Sequence, residues 1–216
     1  AINTSRMVEP QRSFASVALP AAWTLAQRDI VRFVRQRSRV ASALGSPVVF
    51  CALIGLVLVQ SFSPPGSTHV VGYLEYFFPG TLVLILLFSS VFSNISLIED
   101  RREGFLQGVL VSPAPRSSIV LGKILGGAVL AWGQGLLFCI YLLTPWSEIS
   151  VGAMQMVELT VILFVVAFAL AGMGFLVAWP MESTQGFHAI MNLVLIPLWL
   201  LSGALFPASG APVWLQ

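Results

Sequence analysis

Five consecutive charged residues, Glu99-Asp100-Arg101-Arg102-Glu103, stand between two long apolar stretches of this chain. Such a run cannot lie in hydrocarbon, so the stretches on either side must enter and leave an apolar phase around it. The segment runs on through Gly104-Phe105 to Ser112-Pro113-Ala114-Pro115-Arg116. Glu99 and Asp100 favour the start of a helix, through its dipole, and Pro113 and Pro115 end it, so one helix is predicted from about Glu99 to Val111. Phe105, Leu106, Val109 and Leu110 would give that helix an apolar face. A connector this charged, with an aromatic and a proline stop, reads as a surface made to be gripped rather than a loop that only joins two spans.

The composition supports a membrane chain. Eleven basic and nine acidic residues in 216 amount to 9% charged, against 57% hydrophobic. A soluble domain averages about 25% charged residues. Runs of about 20 apolar residues, long enough to cross roughly 30 Å of hydrocarbon, mark spans. Five are predicted, at 43–62, 77–97, 118–143, 154–179 and 187–206. The predicted fold class is therefore all-α, a polytopic transmembrane helical bundle. Cys51 and Cys139 fall within apolar runs and read as small buried hydrophobes.

Basic residues set the orientation. Arg6, Arg12, Arg28, Arg32, Arg35, Arg37 and Arg39 precede the first span, and Arg101, Arg102, Arg116 and Lys123 flank the connector. Segments 63–76, 144–153 and 207–216 hold none. All eleven lie on one side if the N-terminus is cytoplasmic. Residues 1–22 are expected to be a disordered or extended tail, with Met7 a natural start. Residues 207–216 read as an outer loop that leads to a sixth span.

Residues 23–42 form a cationic amphipathic helix. Arg28, Arg32, Arg35 and Arg39 recur at spacings that share one face, opposite Trp23, Ala26, Ile30, Phe33 and Val34. Such a helix is expected to lie on the inner membrane surface with its arginines toward anionic headgroups. Ser117 and Ser118 are expected to cap the third span, and Lys123 to snorkel back to the cytoplasmic surface. Gly122 with Gly126, and Gly172 with Gly174, point to close helix packing. Ser90, Asn94 and Asn192 lie within spans, as pathway lining or as interhelical hydrogen-bonding groups.

Ile98-Glu99-Asp100-Arg101-Arg102-Glu103-Gly104-Phe105, then Val111-Ser112-Pro113-Ala114-Pro115-Arg116-Ser117 and Leu121-Gly122-Lys123, resemble the signature region of type 2 ATP-binding-cassette (ABC) transporter permeases. The resemblance implies six spans, of which five are visible, and a chain that forms the translocation path of an ATP-driven exporter. It implies that Glu99, Asp100, Arg101, Arg102, Glu103, Gly104 and Phe105 couple to a separate ATPase subunit through a 99–110 connector. It places residues 23–42 beside that connector as an interface helix. It implies a bacterial cytoplasmic membrane, a second permease copy or paralogue as dimer partner, and substrates among drugs, lipids and polysaccharides. Of the pathway candidates, it favours Asn94 and Asn192, since spans two and five line the cavity in similar transporters.

No nucleotide-binding motif is visible. The single Gly-Lys pair, Gly122-Lys123, has Ser117 where a P-loop needs glycine and Ile124 where it needs Ser or Thr. ATP and magnesium are therefore expected in the partner, with no cofactor or metal on this chain and no enzymatic role. An ATP-independent carrier or channel is the alternative. It is disfavoured by the lack of intramembrane charges and of paired broken helices. Glu75, Glu158 and His188 sit at span ends and read as interfacial groups, and His69 as a solvated loop residue. A membrane enzyme ranks last, because HExxH and GxSxG are absent.

Overall fold

The computed structural model describes residues 14–37, 71–111, 115–140 and 152–202, with isolated helical positions at 40, 41, 45, 49 and 53. Its elements are all helices: α1 (Phe14–Arg35), α2 (Val71–Phe92), α3 (Ile95–Arg102), α4 (Phe105–Leu110), α5 (Arg116–Cys139), α6 (Ala153–Ala178) and α7 (Thr184–Leu201). Four stretches are long and apolar enough to cross a membrane: Phe77–Arg102, Arg116–Cys139, Ala153–Ala178 and Thr184–Leu201. The chain is an all-α polytopic bundle. The predicted first span, 43–62, lies outside the described residues apart from three isolated positions, as do residues 203–216.

Helix α1 starts at Phe14, inside the segment 1–22 that was expected to be an extended tail. A stripe of Ala18, Ala22 and Ala26 explains the extension, since all three are buried. Small residues at every fourth position let two helix backbones approach. They meet α5 at its own small residues. A Cβ on Gly122 would lie 2.8 Å from the Ala22 carbonyl oxygen, and one on Gly126 would lie 3.4 Å from Ala26 Cα. The Gly122–Gly126 spacing is thus a contact surface for α1.

Helix α5 is the hub, packed against α1, α2 and α6. It starts after Pro115, whose extended backbone makes it the N-cap residue. Ser118 lies inside the helix, where its hydroxyl donates to the Pro115 carbonyl. That replaces the capping role expected for it. Helix α6 approaches α2 through a small-residue stripe, in which Gly174 sits against Val91 and Asn94. Its neighbour Gly172 meets only the tip of Ile124, at 3.8 Å, so the close packing belongs to Gly174. Helix α7 packs by one edge: Phe187, Met191, Leu195 and Trp199 are its buried residues, each four apart. The Trp199 indole N–H donates to the Gly80 carbonyl at 2.9 Å and fixes α7 to α2.

Two breaks shape the segment between α2 and α5. At Ser93-Asn94 the side chains compete with the helix for its own carbonyls. Ser93 Oγ donates to Ser90 O at 2.7 Å, while Asn94 Nδ2 donates to Ser90 O at 3.1 Å and Val91 O at 3.3 Å. At Gly104 the backbone turns left-handed, with φ 77°, and ends α3. The connector expected as one helix from Glu99 to Val111 is therefore two, α3 and α4, hinged at the residue type best suited to that conformation.

Candidate coupling site

The charged run does not stand free in water. Asp100, on the last turns of α3, is wholly buried. Arg28 of α1 grips it with two parallel bonds, Nη1 to Oδ2 and Nη2 to Oδ1, both 3.0 Å. Arg32, one turn on, donates to Asp100 Oδ1 at 3.1 Å and to Glu103 Oε1 at 3.1 Å, and lies 3.5 Å from Glu99 Oε2. Paired, planar arginine–carboxylate bonds of this kind fix geometry as well as adding energy. The hydrogen bonds to Asp100 hold the Arg28 guanidinium above its already high ordinary pKa, so it stays charged. Its Cζ also lies 3.6 Å above the centre of the Phe105 ring, a cation–π contact that ties α1 to the start of α4.

Beneath these two arginines lies a third cation. Lys123 of α5 is only 4% exposed, so it does not snorkel to the surface as expected. Its ammonium donates to both Asp29 oxygens, at 3.1 and 2.8 Å, to Ser96 Oγ at 3.3 Å, and to Asp100 Oδ2 at 2.5 Å. One ammonium thus joins α1, α3 and α5, with a carboxylate or hydroxyl facing each N–H. Buried charge is tolerated only when paired and hydrogen-bonded in this way. The set also turns α1 around: Arg28 and Arg32 face the connector, where anionic headgroups were expected, while Leu19, Trp23 and Val34 are more than 60% exposed.

Arg101 points away from α1. It donates from Nη1 to the Met181 carbonyl at 3.3 Å and from Nη2 to the Trp179 carbonyl, with its Cζ 5.3 Å from the Trp179 ring centre. Of the predicted coupling residues, Glu99, Asp100, Arg101 and Glu103 are thus engaged within the chain. Phe105 is half-buried under Arg28, Gly104 forms the hinge, and Arg102 and Glu103 are exposed. The outer face of the connector is completed by Gln107, Leu110 and Val111, the last 86% exposed.

The pathway candidates separate. Ser90 and Asn94 are both buried, and Asn94 Nδ2 donates to the Ala171 carbonyl of α6 at 3.1 Å. Asn192 is exposed on α7. His188 is exposed and lies tilted against Phe92, with centroids 4.7 Å apart and the rings at 38°, and Glu158 is exposed on α6. Among the described residues, no group of three or more His, Cys, Asp or Glu is placed to hold a metal.

Sequence reasoning missed Asp29, Ser96, Lys123 and Trp179 as partners of the connector. One signal was present: Asp29 is the sole acid among the arginines of 23–42 and sits beside Arg28.

Residues 20–216 match the ABC-2 type transporter family. The chain is 28% identical, over 90% of its length and 67% of the relative's, to a protein of Cyanophora paradoxa named as transport permease ycf38. It is 25% identical over 126 residues to a protein of Escherichia coli K12 named as multidrug ABC transporter permease YbhR, covering 58% of this chain and 34% of that one. The chain thus spans about two thirds of the first relative and a third of the second. No solved structure matches it. With the helical bundle and the charged connector already in place, the match over nearly the whole chain settles the class: this chain belongs to the ABC-2 type transporter family, as a membrane-embedded transport permease.

Proposed function

We propose that the chain forms half of the translocation path of an ATP-driven exporter in a bacterial cytoplasmic membrane, its N-terminus inside. A second copy or a paralogue supplies the other half, and a separate ATPase subunit holding ATP and magnesium drives both through the connector 99–110. The observation that carries this reading is the fixed pose of α3 and α4. Asp100, bound by Arg28, Arg32 and Lys123, holds the connector against α1 and α5. Its other face, Arg102, Gln107, Leu110 and Val111, is left outward with charge and apolar groups together. A rigid, mixed face suits a partner surface, because charges set register and apolar groups supply affinity. A push there reaches α1, α2 and α5 at once.

Native purification tests it: a nucleotide-hydrolysing subunit should be retained. Arg102→Glu combined with Leu110→Ala should weaken that retention by roughly thirtyfold or more, the scale of losing an interface anchor. Transport by the isolated chain, driven by an ion gradient without nucleotide, would establish the carrier alternative in its place.

A further inference from the structure

The connector is fastened on a second side. Arg101 leaves α3 on the face opposite Arg28 and closes over the end of α6, bonding the carbonyls of Trp179 and Met181. These carbonyls belong to the negative pole of the α6 dipole and to the turn that follows it, where a guanidinium fork is well matched. The turn is short, Trp179 to Ser183, because Ser183 already caps α7 by accepting from the Gly186 N–H at 3.3 Å. Whatever moves Trp179 and Met181 therefore moves the end of α6 and the start of α7 together. Apolar packing runs the same way: Ile98, Leu106, Phe175, Ala178, Phe187 and Met191 belong to one buried cluster.

We propose that Arg101 is a positioning residue that couples the connector to the α6–α7 turn, so that a displacement of α3 is delivered to α6 and α7 as well as to the helices flanking the connector. This rests on the reading of the connector as the drive surface, and it assigns Arg101 to transmission inside the chain, with docking left to its neighbour Arg102. The contrast between the two arginines is structural: Arg101 spends its donors on two backbone carbonyls, whereas Arg102 is exposed.

The test compares Arg101→Gln, Arg101→Lys and the turn control Glu182→Gln in the complete complex, reconstituted in vesicles. Arg101→Gln should keep the ATPase subunit and its hydrolysis within about twofold while transport falls about tenfold or more, the worth of a charge-assisted pair of hydrogen bonds. Arg101→Lys retains charge but not the fork, so transport should recover in part, and Glu182→Gln should transport normally. A second readout needs no nucleotide. Spin labels on Gln107→Cys and Glu182→Cys, with Cys51 and Cys139 replaced, should give a narrow distance distribution that Arg101→Gln broadens. Undiminished transport, an unchanged distribution, or loss of the ATPase subunit in step with transport would each overturn the assignment. Should Arg101→Gln fail to insert, Arg101→Lys gives the same comparison. Should the unmodified chain retain no ATPase, the drive reading falls, and the label pair still decides whether Arg101 clamps the turn.

Discussion

Lys123 on α5 lies 2.8 Å from Asp29 on α1, with only 3% and 7% of the two side chains exposed, and its ammonium also meets Asp100 on α3. Three helices far apart in sequence share one buried cation. The arrangement is asymmetric in its sensitivity: removing the cation takes the close partner from Asp29, while Asp100 keeps Arg28 and Arg32, and removing both members of the Asp29–Lys123 pair leaves no buried charge unmatched.

Lys123→Met should therefore destabilise the bundle by about 3–5 kcal/mol, the usual scale for breaking a buried ion pair. Asp29→Asn added to Lys123→Met should restore part of that. The measurement is thermal stability of the detergent-solubilised protein by size-exclusion recovery. A double variant no more stable than Lys123→Met would show that Asp29 is not held by this cation.

Gly174 faces Asn94 and Val91 so closely that an added Cβ would sit 2.7 Å from Asn94 Nδ2 and 3.0 Å from Val91 Cα. Gly174→Ala should cost about 1–3 kcal/mol, as overpacking does when backbone must shift. Gly172→Ala, which meets only Ile124 at 3.8 Å, should be neutral or mildly stabilising. Equal losses in the two variants would contradict the packing of α6 on α2.

Gly104 tests the hinge without touching a neighbour. No atom lies within 4 Å of where its Cβ would be, so Gly104→Ala carries only the backbone cost of φ 77°, about 1–2 kcal/mol. Gly104→Asn should be tolerated better, since Asn visits that conformation more readily. Helix α4 carries part of the proposed docking face, so ATPase retention should follow the order Gly, Asn, Ala.

Orientation is checked by single cysteines in a background without Cys51 and Cys139. Gly152→Cys, at the start of α6, should react with an impermeant thiol reagent applied from outside, and Gln107→Cys, on α4, should react only after the membrane is opened. The reverse pattern would invert the topology.

How much of this could be read from the residues alone depended on the range of the interaction. The apolar runs 118–143 and 154–179 coincide with the helices Arg116–Cys139 and Ala153–Ala178 to within a few residues, because hydropathy is a local property. The start of α1 was missed, since an alanine stripe gives a weak hydropathy signal and declares itself only opposite Gly122 and Gly126. The break at Gly104 was legible in principle, as glycine between two helical runs, but the continuous charge and apolar pattern masked it. The resemblance placed residues 23–42 beside the connector, but the pairing of Asp100 was beyond reach: Arg28 lies 72 residues earlier, and nothing local selects it. The same holds for Lys123, whose position near a span end suits snorkelling as well as burial.

The order of synthesis gives the Asp29–Lys123 pair a further meaning. Lys123 leaves the ribosome 94 residues after Asp29, a delay of roughly 5 to 20 s at ordinary elongation rates of about 5–20 residues per second. Throughout that interval α1 has neither its cation nor the glycine surface that receives its alanines. It waits in water or at the headgroups, with Asp29 hydrated and its arginines free for the lipid surface. Arrival of α5 lets it seat, so α1 finds its place only after a helix made much later has emerged. A chain stalled before Lys123 should leave α1 open to protease, and one stalled well beyond it should not.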